Sequence, residues 1–357
     1  MQEDFYNGFL IAPLNWGLGH ATRCVPIIRY LMDKKIRVVI ASDGEALAYL
    51  KKEFPTLNYE VLPSYNVEYT PDNRFISNMF RQLPKFIKAY IDEKACIDDI
   101  IRKHNISKII SDNRYGCHHK DTKNILITHQ LRPNFTGVLS YLNWPIEQIL
   151  RLIFDNFNMV WVPDDESSNL TGALSSLPIA DKNYIGILSR FEKPESHLIT
   201  NEILVILSGV EPQRSILEEK ITEQLKCLQL TSVIVSGIDD DNKIENINSY
   251  ITKYQRLDTK ALSILISESK YIICRSGYSS IMDLAVLGKK ALLIPTPGQT
   301  EQEYLALKLM NEKKFLMQNQ QDLNIEQALK QIEDYSGILL PSSQKNHFKD
   351  LINKLLD

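Results

Sequence analysis

Residues with the means to bind a ligand concentrate at a turn that runs from Arg275 to Ser280. The apolar run Tyr271 to Cys274 precedes this turn and the helix-like stretch Ile281 to Leu287 follows it, so the pattern predicts a buried strand, a turn and a helix. Backbone N–H groups at the start of a helix carry partial positive charge, which suits a phosphate group. The candidate phosphate-binding residues are Arg275, Ser276, Gly277, Tyr278, Ser279 and Ser280.

Two other stretches in the same half repeat this pattern. Lys290 to Pro295 predicts a strand, and the polar run Gln299 to Glu303 predicts the start of a helix, so that two polar helix starts would face one crevice. The apolar run Ile203 to Leu207 also leads into a loop and a helix. Its small residues, backbone N–H groups and forked cation suit a diphosphate, although a plain turn with a surface arginine has the same composition. The residues concerned are Ser208, Gly209 and Arg214.

Glycines also separate the first predicted strand from the first predicted helix. The loop contains Gly17, Leu18 and Gly19, and glycine lets the backbone turn tightly while it leaves the start of the helix open. A dinucleotide-binding loop would add a third glycine and an acidic residue about 20 positions later. Thr22 stands where the third glycine would be, and Asp43 is the only acid near the end of the next strand. The pattern therefore disfavours NAD.

His20 and Asp112 are the candidates for acid–base chemistry. His20 falls in the first turn of the first helix, where an imidazole could take a proton from a hydroxyl nucleophile. Asp112 follows the strand predicted at Lys108 to Ile110, and ligands of open α/β sheets bind at the carboxyl ends of strands. It could orient an acceptor hydroxyl or His20. Each has a plain alternative, since His20 could cap a helix and Asp112 could form a turn.

Two clusters resemble metal sites in composition but not in pattern. Cys117, His118 and His119 are adjacent, so their side chains point in different directions, and no carboxylate or second cysteine pair completes a set of ligands. A solvated loop is the plainer interpretation for them. The triplet Asp239 to Asp241 could hold Mg²⁺ on a diphosphate, but the polar residues around it favour a surface loop. We therefore predict chemistry without a metal ion or another cofactor.

The composition is that of a globular protein with two domains. The 357 residues exceed one ordinary core, and 44% hydrophobic and 24% charged residues leave little room for a long disordered segment. A net charge of -3 argues against a nucleic-acid binder. The five cysteines form no C-x-x-C pair, the first residues are acidic, and no apolar run approaches the length of about 18 residues that a membrane span needs. These features predict a cytoplasmic protein.

Strands alternate with helices through both halves of the chain, which predicts an α/β fold with parallel sheets covered on both faces. We expect an N-terminal domain at residues 1–165 and a C-terminal domain at 201–340. Between them, at 166–200, Pro, Asp, Ser and Gly interrupt the pattern and predict an interdomain connection. The last segment, 341–357, has the apolar spacing of an amphipathic helix and could cross back to the first domain.

Bulky apolar residues and cations interleave from Phe75 to Lys88. Such a stretch could rest on an anionic membrane surface, although helical apolar spacing is also typical of a core face. The segment from Leu139 to Phe154 is similar in character, and a packed helix is the plainer interpretation for it. A peripheral position at the inner face of a membrane therefore stays open alongside a fully cytoplasmic one.

Taken together, these residues resemble a glycosyltransferase of the GT-B fold, close to family 28 and its lipid-linked N-acetylglucosaminyltransferases of peptidoglycan synthesis. The resemblance spans both halves and is most specific at Cys274 to Gly277, followed by Asp283, Gly288 and Pro295 and then by Gln302 to Tyr304. It implies two Rossmann-like domains with parallel sheets facing a central cleft. The second domain would bind a nucleotide sugar and the first an acceptor.

The resemblance also implies a role for each matching residue. The diphosphate would lie on the turn at Ser276 to Ser280, the ribose on Asp283, the sugar on Gln302 and Glu303, and the base beside Leu257. Asp283 replaces the glutamate that is usual in the family, and Glu303 replaces one amide of its pair. The implied reaction is an inverting, metal-independent transfer from a UDP-sugar to a hydroxyl of a glycan or lipid-linked sugar, as in cell-envelope polysaccharide biosynthesis.

Two other functions fit the same pair of domains. A sugar-nucleotide hydrolase or epimerase would use the donor site without an acceptor, and release of free UDP in water alone would favour the hydrolase. A non-catalytic nucleotide-sugar sensor would bind the donor without chemistry. Such a sensor would keep its donor affinity after His20→Ala and Asp112→Ala and would show no turnover.

Overall fold

The computed structural model contains two α/β units, each built around a seven-stranded sheet. The predicted α/β class with mainly parallel sheets is confirmed. The triplet Asp239 to Asp241 and the beginning of the Phe75 to Lys88 stretch lie outside the described residues. The structure describes residues 8–68, 80–135, 137–192, 198–209, 211–237, 244–340 and 347–356.

The first unit is a parallel sheet accompanied by helices. Its strands are β1 (Gly8–Pro13), β2 (Val38–Ser42), β3 (Asn58–Val61), β4 (Ile106–Asp112), β5 (Lys123–Ile127), β6 (Met159–Val162) and β7 (Lys182–Tyr184), and its longer helices are α1 (Gly19–Asp33), α2 (Gly44–Glu53), α3 (Leu83–His104) and α4 (Asn143–Phe154). The strand order is β3-β2-β1-β4-β5-β6-β7. Strand β7 lies inside the segment 166–200, which the sequence predicts as an interdomain connection. Its three residues contain no apolar run, so the sequence pattern does not show that they form a strand.

The second unit has the same plan. Its strands are β8 (Asn201–Ile206), β9 (Ser232–Val235), β10 (Ile244–Asn246), β11 (Ile251–Tyr254), β12 (Ser269–Cys274), β13 (Ala291–Leu293) and β14 (Leu316–Met317), and its helices include α5 (Gln213–Leu228), α6 (Thr259–Ser267), α7 (Tyr278–Leu287), α8 (Thr300–Asn311) and α9 (Ile325–Gln331). The order is β10-β11-β9-β8-β12-β13-β14, and the β10–β11 pair is antiparallel while the other pairs are parallel.

Strand register decides which loops emerge together. In the first unit Pro13 pairs with Asp112, so β1 and β4 end at the same edge of the sheet. In the second unit Cys274 pairs with both Ile206 and Leu293, so β8, β12 and β13 also end together. The central strands are apolar and buried on both faces, which is typical of parallel strands between helices. Each sheet therefore presents a rim of loops above a rigid core.

The last helix, α10 (His347–Leu356), belongs to the first unit, which otherwise ends at Leu188 within the described residues. Phe348 is buried and packs edge-on against Tyr30 of α1, with ring centroids 6.0 Å apart. The hydroxyl of Tyr30 donates to Asn353 Oδ1 at 2.8 Å. The apolar face of this amphipathic helix is thus covered by α1 of the first unit.

Candidate active site

The loops predicted to bind a donor meet at one rim of the second unit. The hydroxyl of Ser276 donates to the backbone oxygen of Gln302 at 2.9 Å, which ties the turn after β12 to the start of α8. The side-chain oxygen of Gln302 accepts from the N–H of Thr296 at 2.9 Å, and Glu303 accepts from the N–H of Gly298 at 2.9 Å. The two polar helix starts found in the sequence are therefore brought together, and Gln302 and Glu303 shape the turn before α8.

The helices that begin at this rim differ from their neighbours in capping. Asp258 and Asn324 cap α6 and α9 with their side chains. Gly277 before α7 and Pro212 before α5 make no side-chain cap, and neither helix has an acidic residue in its first turn. At α5, however, the carboxylate of Glu211 accepts from the N–H of Ser215 at 3.3 Å. The partial positive charge of such a helix start stabilises an anion. The start of α7 is therefore suited to a diphosphate, and the start of α5 would bind one in exchange for Glu211.

The loop after β8 is open on its surface side. Ser208 and Gly209 are exposed, and Gly209 has a φ of 98°, a conformation that favours glycine. Arg214 is engaged within the protein, because its Nη2 lies 2.6 Å from Glu211 Oε1. A diphosphate here would meet exposed backbone first and Arg214 only through exchange with Glu211. Leu257, half-buried, precedes α6.

Arg275, a candidate donor-binding residue in the sequence, binds the backbone of the protein itself. Its guanidinium is buried and donates to the backbone oxygens of Gln213 at 2.8 Å and Pro295 at 3.2 Å. Burial lowers its pKa to about 10. Arg275 thus joins the loops that carry the site. The ring of Tyr278 is also buried, so only the backbone of that residue could face a ligand, whereas Ser279 and Ser280 are half-buried.

Asp283 lies in the second turn of α7, and its side chain is 19% exposed. The Ser189 hydroxyl donates to it at 2.6 Å, and Arg190 Nε lies 4.0 Å from its other oxygen. Burial raises the pKa of Asp283 to about 6, against the opposing effects of Arg190 and Ser189. The sequence alone does not identify Ser189 and Arg190, because they fall in the stretch expected to be a connection.

In the first unit, His20 and Asp112 form a hydrogen-bonded pair. The glycine loop of Gly17, Leu18 and Gly19 follows β1, Gly17 has a φ of 71°, and α1 begins at Gly19. His20 Nδ1 lies 2.7 Å from Asp112 Oδ1. The pairing of β1 with β4 places both residues at one rim, and their contact has the geometry that the second of the two roles considered for Asp112 requires.

Arg23 is a site residue that the sequence alone does not reveal. It lies one turn after His20 on α1, is buried, and donates through Nε to Asp112 Oδ2 at 2.5 Å and through Nη2 to Oδ1. Its Nη1 lies 3.0 Å from Nδ1 of His129, which follows β5. In the sequence, the three-residue spacing between His20 and Arg23 indicates that the two side chains share one face of α1. His129 is far away in sequence and gave none.

The charges in this cluster favour an ionised aspartate and a neutral imidazole. Burial acts to raise the pKa of Asp112, but Arg23 and His20 hold it well below its usual range. Burial lowers the pKa of His20, and Arg23 adds to this effect, so together they outweigh Asp112. A neutral imidazole oriented by a carboxylate is the arrangement of a general base.

A second buried network supports the loop after β1. Arg114 donates to Glu93 Oε1 at 2.6 Å, to the backbone oxygen of Pro13 at 2.9 Å and to Asp43. Asn15 donates to the other oxygen of Asp43 at 3.0 Å. Because Pro13 ends β1 and Asn15 opens the loop that leads to His20, this network holds the loop beside the His20–Asp112 pair.

Neither a metal cluster nor a membrane span is found in the described part of the chain. Among those residues no group of three His, Cys, Asp or Glu side chains is arranged to hold a metal ion. The solvated loop expected at Cys117 to His119 is wrong for two of its residues, because Cys117 and His118 are buried. Cys117 packs with Ile97 and Ile100 of α3. None of the described helices combines the length and apolar character needed to cross a membrane.

Comparison with known proteins finds similarity to glycosyltransferases. Residues 203–355 match the family model of the glycosyltransferase family 28 C-terminal domain. The solved glycosyltransferase of kitacinnamycin is 13% identical, with 98% of both chains covered and a TM-score of 0.68. MurG of Acinetobacter baumannii is 13% identical, with 98% of this chain and 99% of that chain covered and a TM-score of 0.57.

The glycosyltransferase VinC, solved in complex with dTDP, is 11% identical, with 97% of this chain and 94% of that chain covered and a TM-score of 0.56. No curated protein matches the sequence. The structural likenesses establish that the chain has the GT-B fold, as the sequence predicted.

Proposed function

We propose that this protein is a glycosyltransferase that moves a sugar from a nucleoside diphosphate sugar to a hydroxyl acceptor, with inversion at the anomeric carbon. The observation that carries the proposal is the match of residues 203–355 to a glycosyltransferase C-terminal domain. The starts of α5 and α7 in that segment, and the His20–Asp112 pair in the first unit, support it.

The donor in this proposal is a UDP-sugar held by the second unit. Its diphosphate lies at the starts of α5 and α7, where helix dipoles stabilise the charge that develops on the leaving group without a metal ion. Its ribose hydroxyls donate to Asp283, a carboxylate that already accepts from the Ser189 hydroxyl at 2.6 Å. The related structure of VinC contains dTDP, also a pyrimidine nucleoside diphosphate.

The acceptor in this proposal is a glycan or lipid-linked sugar of the cell envelope, bound by the first unit beside the loop of Gly17 to Gly19. His20 takes the proton of the acceptor hydroxyl, and the hydroxyl oxygen attacks the anomeric carbon while the bond to the diphosphate breaks. The diphosphate leaves with the electrons of that bond. Asp112 orients His20 and stabilises the imidazolium that forms.

A turnover assay tests this function. The protein is incubated with UDP-, dTDP- and GDP-linked sugars, with and without glycan and lipid-linked acceptors, and the released nucleotide is measured. We expect UDP release that depends on an acceptor hydroxyl. UDP release in water alone would indicate a hydrolase instead. Donor binding without turnover, unchanged by His20→Ala and Asp112→Ala, would indicate a sensor.

We further propose that the first unit contacts an anionic membrane surface. Large apolar side chains on α3 and α4 are exposed, including Ile87 at 52% and Trp144 at 71%, so these faces are not part of a core. Lys85 and Lys88 lie on the same helix as Ile87. The exposed apolar residues of the two helices and the turn before α4 are Leu83, Ile87, Ile91, Tyr141, Trp144, Ile149 and Leu152.

Sedimentation with vesicles tests the membrane proposal. The protein should pellet with phosphatidylglycerol vesicles more than with phosphatidylcholine vesicles, and Ile87→Ser or Trp144→Ser should reduce the pelleted fraction. Leu339→Ser, at an exposed apolar residue of the second unit, is the control and should change nothing. Equal sedimentation of all three variants and the wild type with either lipid would contradict the proposal.

A further inference from the structure

The guanidinium of Arg23 lies between two histidines. It pairs with both oxygens of Asp112, through Nε and Nη2, in the bidentate geometry that suits a planar arginine. Its Nη2 lies 2.9 Å from His20 Nδ1, and its Nη1 lies 3.0 Å from His129 Nδ1. Because a guanidinium can only donate hydrogen bonds, these contacts restrict where each imidazole can carry its proton.

For His20, the proton belongs on Nδ1. Asp112 stays ionised and can only accept, so its oxygen at 2.7 Å from Nδ1 requires an N–H on that nitrogen. Nη2 of Arg23 donates to the same oxygen of Asp112, and its closeness to His20 follows from this shared acceptor. Nδ1–H leaves the lone pair of the neutral ring on Nε2. His20 therefore presents its basic nitrogen away from Asp112.

For His129, the proton belongs on the other nitrogen. Nη1 of Arg23 lies 3.0 Å from Nδ1 of His129, and because a guanidinium can only donate, Nδ1 must offer a lone pair to accept the bond. A neutral imidazole with a lone pair on Nδ1 carries its proton on Nε2. His129 is buried and follows β5, the strand that pairs with β4 and so adjoins Asp112.

We propose that Arg23 is a positioning residue that fixes the two imidazoles in opposite tautomers, His20 protonated at Nδ1 and His129 protonated at Nε2. The inference rests on the proposed function, since it assigns a cause to the base role of His20. Arg23 holds Asp112 as a carboxylate and thereby keeps the His20 Nε2 lone pair available to an acceptor hydroxyl. It also turns His129 into a hydrogen-bond donor at Nε2.

The other titratable groups around the pair do not compete for this role. Cys24 Sγ lies 3.7 Å from Asp112 Oδ2, and burial together with Asp112 raises the pKa of this thiol well above its ordinary value. Burial raises the pKa of Tyr115 to about 12. Both groups are therefore neutral near pH 7. Among these groups, Arg23 and Asp112 carry the charges that act on the imidazoles.

Nitrogen NMR of the full-length protein, labelled with ¹⁵N-histidine, tests the proposal without any substrate. Spectra of His20→Gln and His129→Gln assign the two rings among the 7 histidines. We expect a protonated Nδ1 and an unprotonated Nε2 for His20, and the reverse for His129. The same tautomer at both rings, or a mixture at either, would overturn the proposal. The tautomers are read from the wild type, and the two glutamine variants serve only to assign its signals.

Substitutions at Arg23 separate its role from simple packing. Arg23→Gln removes the positive charge, so the NMR titration midpoint of His20 should move to higher pH, and the acid limb of kcat/KM should move with it. Arg23→Lys keeps the charge but lacks the fork, so the His129 tautomer should become mixed. Arg29→Gln is the matched control, an exposed arginine of the same helix paired with Glu53.

Folded Arg23 variants with unchanged histidine spectra would contradict the proposal. The outcome is also distinguishable from a failure of the proposed function, because the tautomers are measured without donor or acceptor. If the two histidines have opposite tautomers but the protein transfers no sugar, the glycosyltransferase proposal is contradicted and the role of Arg23 stands.

Discussion

At the scale of single residues, the environment of His20 sets the pH range in which it can act. Burial and Arg23 lower the pKa of the imidazole, and Asp112 opposes them only in part. A base must be unprotonated before it accepts a proton, so a lowered pKa extends activity toward lower pH. The cluster therefore makes His20 a weaker base, but keeps its imidazole unprotonated at neutral pH.

His20→Gln should reduce kcat by about 10²- to 10⁴-fold, because it removes the base and leaves the donor site untouched. In the wild type the acid limb of kcat/KM should lie below pH 6.5, the ordinary imidazole value. Steady-state kinetics across pH measures both effects. His119→Gln, in a loop after β4, is the control. A wild-type acid limb above pH 6.5 would contradict the role given to Arg23 and burial.

Substitution of Asp283 by asparagine should weaken donor binding but stabilise the folded protein. Its pKa rises from 3.8 to about 6 on folding, so the folded state holds the proton more tightly and the free energy of unfolding falls as pH rises through this interval. Asp283→Asn should remove this pH dependence and stabilise the protein near pH 7.5 by at most about 3 kcal/mol. It should also weaken UDP binding.

Urea denaturation at pH 4.5 and pH 7.5, together with nucleotide titration, measures the two effects of Asp283→Asn. Asp322→Asn, at an exposed position, is the control and should change neither. A variant that is less stable at pH 7.5 than the wild type would show that the carboxylate stabilises the fold, contrary to the argument from burial.

At the scale of elements, the Arg114 network fixes the loop between β1 and α1. Arg114 and Glu93 are fully buried, and the pKa of Glu93 is raised by burial despite the attraction of Arg114. Removing one partner of such a network leaves a buried charge without compensation. The loop that leads to His20 thus depends on charges that contact neither donor nor acceptor in the proposed reaction.

Arg114→Met should lower the free energy of unfolding by about 3 to 5 kcal/mol, because Asp43 and Glu93 lose their cation. Chemical denaturation monitored by circular dichroism measures the change. Arg37→Met is the control, since the bond that Arg37 donates to the backbone oxygen of Asn105 is exposed, and it should cost less than about 1 kcal/mol. Equal effects of the two substitutions would refute the role of the network.

Sequence periodicity predicts the elements that are apolar and long. The strands β1, β8 and β12 are continuous apolar runs, and each was located from the sequence. The sequence does not locate strands β7, β10 and β14, because they have two or three residues. Those of β10 are exposed and those of β7 are half-buried, so tertiary pairing decides their place in the sheet.

The sequence predicts only those site residues that lie next to the end of a strand or next to a glycine turn. His20 and Asp112 meet that condition, and register between β1 and β4 brings them together. His129 contacts Arg23 across 106 positions of sequence, and Ser189 contacts Asp283 across 94. Contacts of this kind depend on the packing of the whole unit, so no local sequence pattern predicts them.

At the scale of the whole molecule, the chain completes its first unit with its last helix. α10 packs on α1 through Phe348 and Tyr30, and α1 carries His20 and Arg23. The stability of the proposed acceptor-side unit therefore depends on residues that follow the proposed donor-side unit in sequence.

Phe348→Ala should destabilise the first unit by about 3 to 5 kcal/mol, because it removes a buried aromatic ring and leaves a cavity beside Tyr30. Hydrogen exchange resolved by peptide measures the effect unit by unit, and faster exchange should be confined to the first unit. Leu198→Ala, at an exposed leucine, is the control. Faster exchange in the second unit instead would contradict the packing of α10.

Titration calorimetry with UDP tests the central claim, that the second unit binds a nucleoside diphosphate. We expect the wild type and His20→Ala to bind UDP with equal affinity, and Asp283→Ala to lose at least about tenfold, a change of about 1.4 kcal/mol. A wild type that binds no UDP, or an Asp283→Ala variant that binds it as tightly as the wild type, would contradict the account.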